Sequence, residues 1–188
     1  VDGRSTPIES DLVTESWDTT QNAVYVRRRY GTWCECDYKE RILELTPGER
    51  GCAASHIKVW QNFLESGKEG PLLVLEDDAS PQPNFAGMLG RALEALPDDA
   101  DILYLGYDQA CDWRCQVSPE LVESEYVWTT VGYMVWPAAA QRLLSKLPIN
   151  QPVDNWLALM SARHELKAYC VRPKIICQAN RWNFDSDV

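Results

Sequence analysis

Four aliphatic side chains run straight into three carboxylates at Leu72-Leu73-Val74-Leu75-Glu76-Asp77-Asp78. Pro71 precedes the run and Ser80-Pro81 follows it, so the apolar segment reads as a fully buried strand of a parallel or mixed sheet. Acids crowded at one strand end repel one another and raise each other's pKa. A hard divalent cation relieves that repulsion, because magnesium and manganese prefer carboxylate oxygens. Ligand sites of open α/β sheets lie at the carboxyl ends of the strands, which is where this cluster falls. The competing reading is a solvated acidic turn; the apolar strand leading into the acids favours the metal-assisted site. If the backbone stays extended, Glu76 and Asp78 project to one side and Asp77 to the other.

The elements that must position these acids are legible on either side. Thr46-Pro47-Gly48-Glu49 has the form of a capping box with proline at the first helical position. It opens a helix that runs to Ser66 and stops at Gly67, with Cys52, His56, Val59, Trp60 and Phe63 on its apolar face. After the strand at 72–76, a helix is expected over 84–96 and short strands over 102–105 and 126–135. Gly132 in the latter marks a bulge or a close backbone approach. Pro137 opens a helix through Leu147, Asp154 opens another through Ala162, and residues 169–178 close the sheet. This alternation predicts an α/β layer fold that binds a nucleotide. Residues 5–44 are polar and lack a clear period, and read as an irregular excursion over the sheet edge. Their Arg27-Arg28-Arg29 run is either a solvated face or a diphosphate neutraliser.

Four ordered blocks carry a family resemblance. The first is Leu45-Thr46-Pro47-Gly48-Glu49-Arg50-Gly51-Cys52-Ala53-Ala54-Ser55-His56-Ile57-Lys58-Val59-Trp60, followed by the acid-tipped strand and Asn84-Phe85. Next come Tyr126-Val127-Trp128-Thr129-Thr130-Val131-Gly132-Tyr133, then Ala140-Gln141-Arg142-Leu143-Leu144 with Pro152-Val153-Asp154, and a tail of Pro173-Lys174-Ile175-Ile176-Cys177-Gln178 and Ser186-Asp187-Val188. Together they resemble glycosyltransferase family 25, which includes bacterial lipooligosaccharide galactosyltransferases and procollagen galactosyltransferases.

The resemblance implies a GT-A type fold with a mixed, mostly parallel sheet flanked by helices, one catalytic domain over residues 1–188. It implies inverting transfer of a sugar, galactose foremost, from a UDP-sugar to a glycan or protein-linked hydroxyl, with manganese as the metal. Asp78 and Glu76 are the implied metal holders, with Asp187 as a third ligand or else part of a frayed acidic tail. Glu76, Asp77, His56 and Asp2-Gly3 are expected around the donor, His56 having the alternative of a satisfied core histidine. An inverting enzyme needs a carboxylate to take the acceptor's proton, and Asp154 is the candidate. Its alternative role is that of helix N-cap, and one residue can serve as both. Family members usually carry a further strand before the Asp-Gly; this chain opens at Val1-Asp2-Gly3, so a fragment is expected, with donor affinity at stake.

Composition narrows the alternatives. A chain of 188 residues, 45% hydrophobic with 8 Trp, can bury one substantial core. No apolar stretch approaches the ~20 residues of a membrane span and no signal peptide is visible, leaving cytoplasm or an ER/Golgi lumen open. The formal charge of −10 argues against nucleic acid or an anionic membrane surface as partner. Seven cysteines include the near pairs Cys34 and Cys36, Cys111 and Cys115, and Cys170 and Cys177. A disulfide is feasible for Cys111 and Cys115, Cys52 reads as a small buried helix residue, and no four-ligand zinc spacing is present. Trp113, Trp128 and Trp182 either stack on a sugar or fill the core. Two other readings stand beside the transferase: a catalytically silent carbohydrate-binding or scaffolding domain of the same fold, and a nucleotidyltransferase, for which the Gly-rich phosphate loop is missing.

Overall fold

A computed structural model of the chain describes residue 8 and residues 11–30 and 41–179, with backbone alone for 26–30. In chain order the elements are β1 (Ser16–Asp18), α1 (Thr20–Tyr30), β2 (Ile42–Glu44), α2 (Pro47–Glu65), β3 (Leu72–Leu75), β4 (Ala79–Pro81), α3 (Phe85–Glu94) and β5 (Ile102–Gln109). They continue as β6 (Cys115–Ser118), β7 (Leu121–Glu123), β8 (Val127–Val135), α4 (Pro137–Ser145), α5 (Val153–Ala162), β9 (Ala168–Val171) and β10 (Ile176–Gln178). The capping box forms as expected. The Thr46 hydroxyl accepts from Glu49 N–H, and the Glu49 carboxylate accepts from Thr46 N–H at 2.8 Å. At the other end Gly67 takes φ +65, a left-handed conformation that glycine adopts without strain.

The main sheet has six strands in the order β3-β8-β5-β9-β7-β6. It is mixed, as expected, but its balance is reversed: of the five neighbour pairings only β5 with β9 is parallel. β8 runs between β3 and β5 and against both, and the β6–β7 hairpin adds antiparallel partners beyond β9. The apolar run of β5 reflects burial on both faces, with residues 102–107 all buried. On one face α2, α4 and α5 shelter Val74, Ile102, Tyr104, Tyr133 and Val135. On the other, α3 and β10 shelter Leu103, Leu105, Val131 and Met134. This α/β arrangement, a mixed sheet between helices, is in keeping with a GT-A type fold.

β3 differs from expectation. It is an edge strand among the described residues, so Leu73 and Leu75 stay 39% and 45% exposed and only Val74 is fully inside. The closing segment also differs. It splits into β9, in the main sheet, and β10, which leaves that sheet to pair antiparallel with β4. Within the polar stretch before α2, the described residues form regular elements rather than an irregular excursion. β1 pairs with β2, and α1 docks through a buried chain in which Trp17 Nε1–H donates to Asn22 Oδ1, Asn22 to the Tyr126 hydroxyl (2.7 Å), and that hydroxyl to Asn155 Oδ1 (2.9 Å). Tyr25 stacks on the Tyr126 ring.

Cys111 and Cys115 are not joined. The Cys111 thiol points at the carbonyls of Asp112 and Tyr126, and the Cys115 thiol faces Glu123. Cys34 and Cys36 lie outside the described residues. Among the described residues no helix is long and apolar enough to cross a membrane.

Candidate active site

β3, β5 and β9 all run in one direction, so their carboxyl ends gather at one end of the sheet. Glu76 stands there, half-buried, at the end of β3. Its Oε1 accepts the Thr130 hydroxyl and lies 3.7 Å from His56 Nε2. Burial pushes the Glu76 carboxyl up, but the His56 imidazole and the Thr130 hydroxyl outweigh that and leave it below its ordinary value.

His56 comes from α2, whose apolar face also presents Trp60 and Cys52. The ring packs on Tyr133, with His56 Nδ1 2.8 Å from the Tyr133 hydroxyl, and Trp60 Nε1–H donates to that same hydroxyl at 3.0 Å. His56 is thus a buried histidine satisfied by a phenol rather than by a backbone carbonyl, with its other nitrogen turned towards Glu76. Cys52 lies one turn earlier. Burial pushes its thiol up to about 12, helped by the charges of Glu76, Asp154, Asp77 and Glu49.

Asp154 reaches the same end of the sheet from α5. The helix begins one residue earlier than expected, with Pro152 at the cap position, so Asp154 is not the N-cap. Its Oδ1 accepts from Asn155 N–H at 2.7 Å, which still satisfies one donor of the first turn. Its Oδ2 accepts from Thr129 N–H at 3.2 Å. Burial dominates its electrostatics and raises its pKa, the Glu76 charge adds to the rise, and the hydrogen bonds from Thr129 and Asn155 only partly offset it.

The backbone beside it is irregular. Between the pairs Gly106↔Gly132 and Asp108↔Trp128, residues 129–131 of β8 stand against the single residue 107 of β5. This bulge holds Thr129 at φ +70, a sterically costly conformation for a β-branched residue. Strain of this kind persists where surrounding structure enforces it, and it gathers at functional sites. Gly106 is required here: a Cβ would lie 2.6 Å from Val131 Cγ1 and 2.8 Å from the Ile176 carbonyl oxygen. The close approach expected at Gly132 is present too, with Ile176 and Leu75 atoms 3.2 Å from where its Cβ would be.

The acid run does not stay extended. Ala79 N–H donates to the Glu76 carbonyl at 3.1 Å, turning the chain at Asp77 and Asp78, so the simple alternation of side chains fails. Asp77 is exposed. Asp78 is tied instead to the end of β10: Gln178 Nε2–H donates to its Oδ2 at 2.7 Å, and Ala179 N–H to its carbonyl at 2.8 Å. Its Oδ1 is buried with no hydrogen-bond partner among the described residues. A carboxylate oxygen left unsatisfied in this way fits the ligand role for a divalent ion.

The structure therefore brings Glu76, His56 and Asp154 to one end of the sheet and sets Asp78 beside them on its own turn. Asp2, Gly3 and Asp187 lie outside the described residues, as do Trp33, Trp182 and the side chains of Arg27, Arg28 and Arg29. Trp113 packs edge-on against Tyr107 at 5.7 Å. Thr129, Thr130, Tyr133 and Gln178 were not anticipated individually. All four belong to blocks that carry the family resemblance, which was the available signal.

Residues 28–157 match the family described as Glycosyltransferase family 25 (LPS biosynthesis protein). A human protein named Inactive glycosyltransferase 25 family member 3 is 34% identical over 140 residues, covering 66% of this chain and 22% of its own. Zebrafish Procollagen galactosyltransferase 1 is 31% identical over 134 residues, and human Procollagen galactosyltransferase 2 is 32% identical over 139, covering 22% and 21% of their lengths. The chain thus spans about a fifth of the length of the curated relatives it matches. On the family match over most of its length, the chain belongs to glycosyltransferase family 25.

Proposed function

We propose that residues 1–188 are a catalytic domain of a metal-dependent, inverting glycosyltransferase, transferring a sugar, galactose foremost, from a UDP-sugar to a hydroxyl of a glycan or protein-linked acceptor. The observation that carries the reading is the pair Glu76 and Asp154, neighbouring carboxylates whose surroundings drive their pKa values in opposite directions. Opposed shifts of this kind separate an anion-holding role from a proton-transfer role. Asp154 is the base. Its raised pKa brings it nearer the working pH, where a carboxylate takes a proton from an attacking hydroxyl more effectively. The Thr129 and Asn155 N–H groups keep it oriented while it does so.

Glu76 stays ionised and, with Asp78, is the holder of a hard divalent ion such as manganese, which favours oxygen ligands. When bound, that ion would neutralise charge on the departing diphosphate. Asp77, exposed on the turn, together with His56 and Asp2-Gly3, is assigned to the donor side. The names of relatives support galactosyl transfer as the first chemistry to test, since procollagen galactosyltransferases are among them.

A second reading, a silent domain of the same fold that binds without turnover, is favoured by the relatives named inactive. One experiment separates the two. A panel of nucleotide sugars is incubated with the protein, with and without manganese, and free nucleoside diphosphate is measured. The transferase reading expects manganese-dependent release from UDP-galactose above other donors. Release from no donor, under conditions where UDP binds, favours the silent domain.

A further inference from the structure

Cys52 and His56 are four residues apart on α2, so their side chains leave the same face of the helix one turn apart. Glu76 meets them from the end of β3. One sulfur, one ring nitrogen and one carboxylate oxygen of this trio lie within 4.8 Å of one another, the one such group of three among the described residues. The His56 Nε2 to Glu76 Oε1 separation of 3.7 Å is too long for a hydrogen bond. It is close to the spacing of two ligands on one ion: bonds of ~2.0–2.1 Å meeting at a tetrahedral angle place their atoms roughly 3.3 Å apart.

The support around the trio also suits a metal ligand. His56 Nδ1 is oriented by the Tyr133 hydroxyl, which Trp60 holds in turn, and outer contacts of this kind fix the ring of a metal-bound histidine. The nearby charges of Glu76, Asp154, Asp77 and Glu49 make a negative field at the Cys52 sulfur that a dication would offset. Thiolate, imidazole and carboxylate together form a set for zinc-class ions, whereas manganese prefers oxygen alone.

We propose that Cys52, His56 and Glu76 form a second metal site, a three-ligand position for a zinc-class ion that is separate from the hard-ion position at Asp78 but shares Glu76. Binding replaces the thiol proton of Cys52 with the metal and releases that proton to solvent. Three protein ligands leave one tetrahedral position open to water or to a bound molecule. The proposal stands independently of sugar transfer, since it concerns binding of the ion alone.

Cobalt titration followed by absorption tests it, because a thiolate bound to cobalt gives a charge-transfer band that oxygen ligands do not. The wild-type protein is expected to show that band, zinc to abolish it, and Asp78→Ala to retain it. Cys52→Ser should lack the band. Zinc affinity, measured by competition with a chromophoric chelator, should fall by about a hundredfold or more in Cys52→Ser and in His56→Gln, since even outer contacts of a metal site are worth 10–100-fold. Far-ultraviolet circular dichroism establishes that each variant folds; should Cys52→Ser not, Glu76→Gln is read in its place, with the same fall in zinc affinity expected. No band in the wild type, or an undiminished band in Cys52→Ser, overturns the proposal, the latter assigning the metal to thiols elsewhere in the chain.

Discussion

The two ends of the central sheet handle acidic residues in opposite ways. Where β5 and β9 begin, Asp101 accepts from Arg142 Nη1 at 2.6 Å and from Lys167 N–H at 2.9 Å. Beside it, Asp99 lies 3.4 Å from Lys167 Nζ and accepts from the Tyr169 hydroxyl. Asp99 and Asp101 each have a cation and a donor. Where the same strands finish, Glu76, Asp77, Asp78 and Asp154 have no Arg or Lys ion pair among the described residues, and one carboxylate oxygen of Asp78 is buried without a partner. The backbone follows the same division, since the start of β5 is in regular register with β8 while its far half faces the bulge that strains Thr129. One end is built for stability. The other leaves charge and strain unresolved within the protein, which is how sites for ligands are made.

Exchanging acid for amide at each end should break the comparison into its two halves. Asp154→Asn keeps one oxygen, enough for the Thr129 or the Asn155 N–H group but not for both, and cannot accept the acceptor's proton. Turnover should fall by ~10²–10⁴-fold with donor affinity unchanged, measured by steady-state and binding assays. Asp101→Asn, at the other end, should leave turnover within a few-fold of wild type and cost about 1–3 kcal/mol in denaturant unfolding, because Arg142 loses a charged acceptor.

The stability of Asp154→Asn sharpens the point. Asp154 has a raised folded pKa, so the unfolded chain ionises first as pH rises. Stability is therefore lost between the ordinary carboxylate range and that raised value, and the loss persists at neutral pH. The asparagine variant has no such loss. Melting curves across pH should show wild type losing stability relative to the variant as pH rises from below the ordinary carboxylate range to neutrality. The smallest effect is expected at Thr129→Gly. Relief of the left-handed backbone should stabilise the fold by about 1 kcal/mol, while the looser backbone presents its N–H to Asp154 less rigidly and lowers turnover.

Much of the stable architecture was legible in the sequence because it is local. Thr46 and Glu49 announce the start of α2 and Gly67 its end, and the apolar run before Glu76 announces β3. Sheet direction was not legible. An apolar run looks alike in sequence whether its neighbours run parallel or antiparallel, so the run of β3 suggested a parallel or mixed sheet, and β3 pairs antiparallel with β8. α1 was missed because a polar helix held by Asn22, Tyr126 and Asn155 carries little hydrophobic period of its own. At the site, residue types were readable and geometry was not. The turn at Asp77 and Asp78, the bulge at Thr129 and the cap at Pro152 arise from tertiary contacts, and they decide which carboxylates meet. Cys52 and His56 were both placed on the apolar face of α2, but only the fold shows Glu76 beside them.

The central claim, that the carboxyl end of the sheet leaves its acids for a cation and an anionic donor, is tested most directly by calorimetric titration with UDP in the presence and absence of manganese. Wild-type protein should bind UDP only when manganese is present, and Asp78→Ala, folded by circular dichroism, should lose that manganese-dependent binding. Equal UDP affinity in the wild type and in Asp78→Ala, with manganese present, would contradict the account.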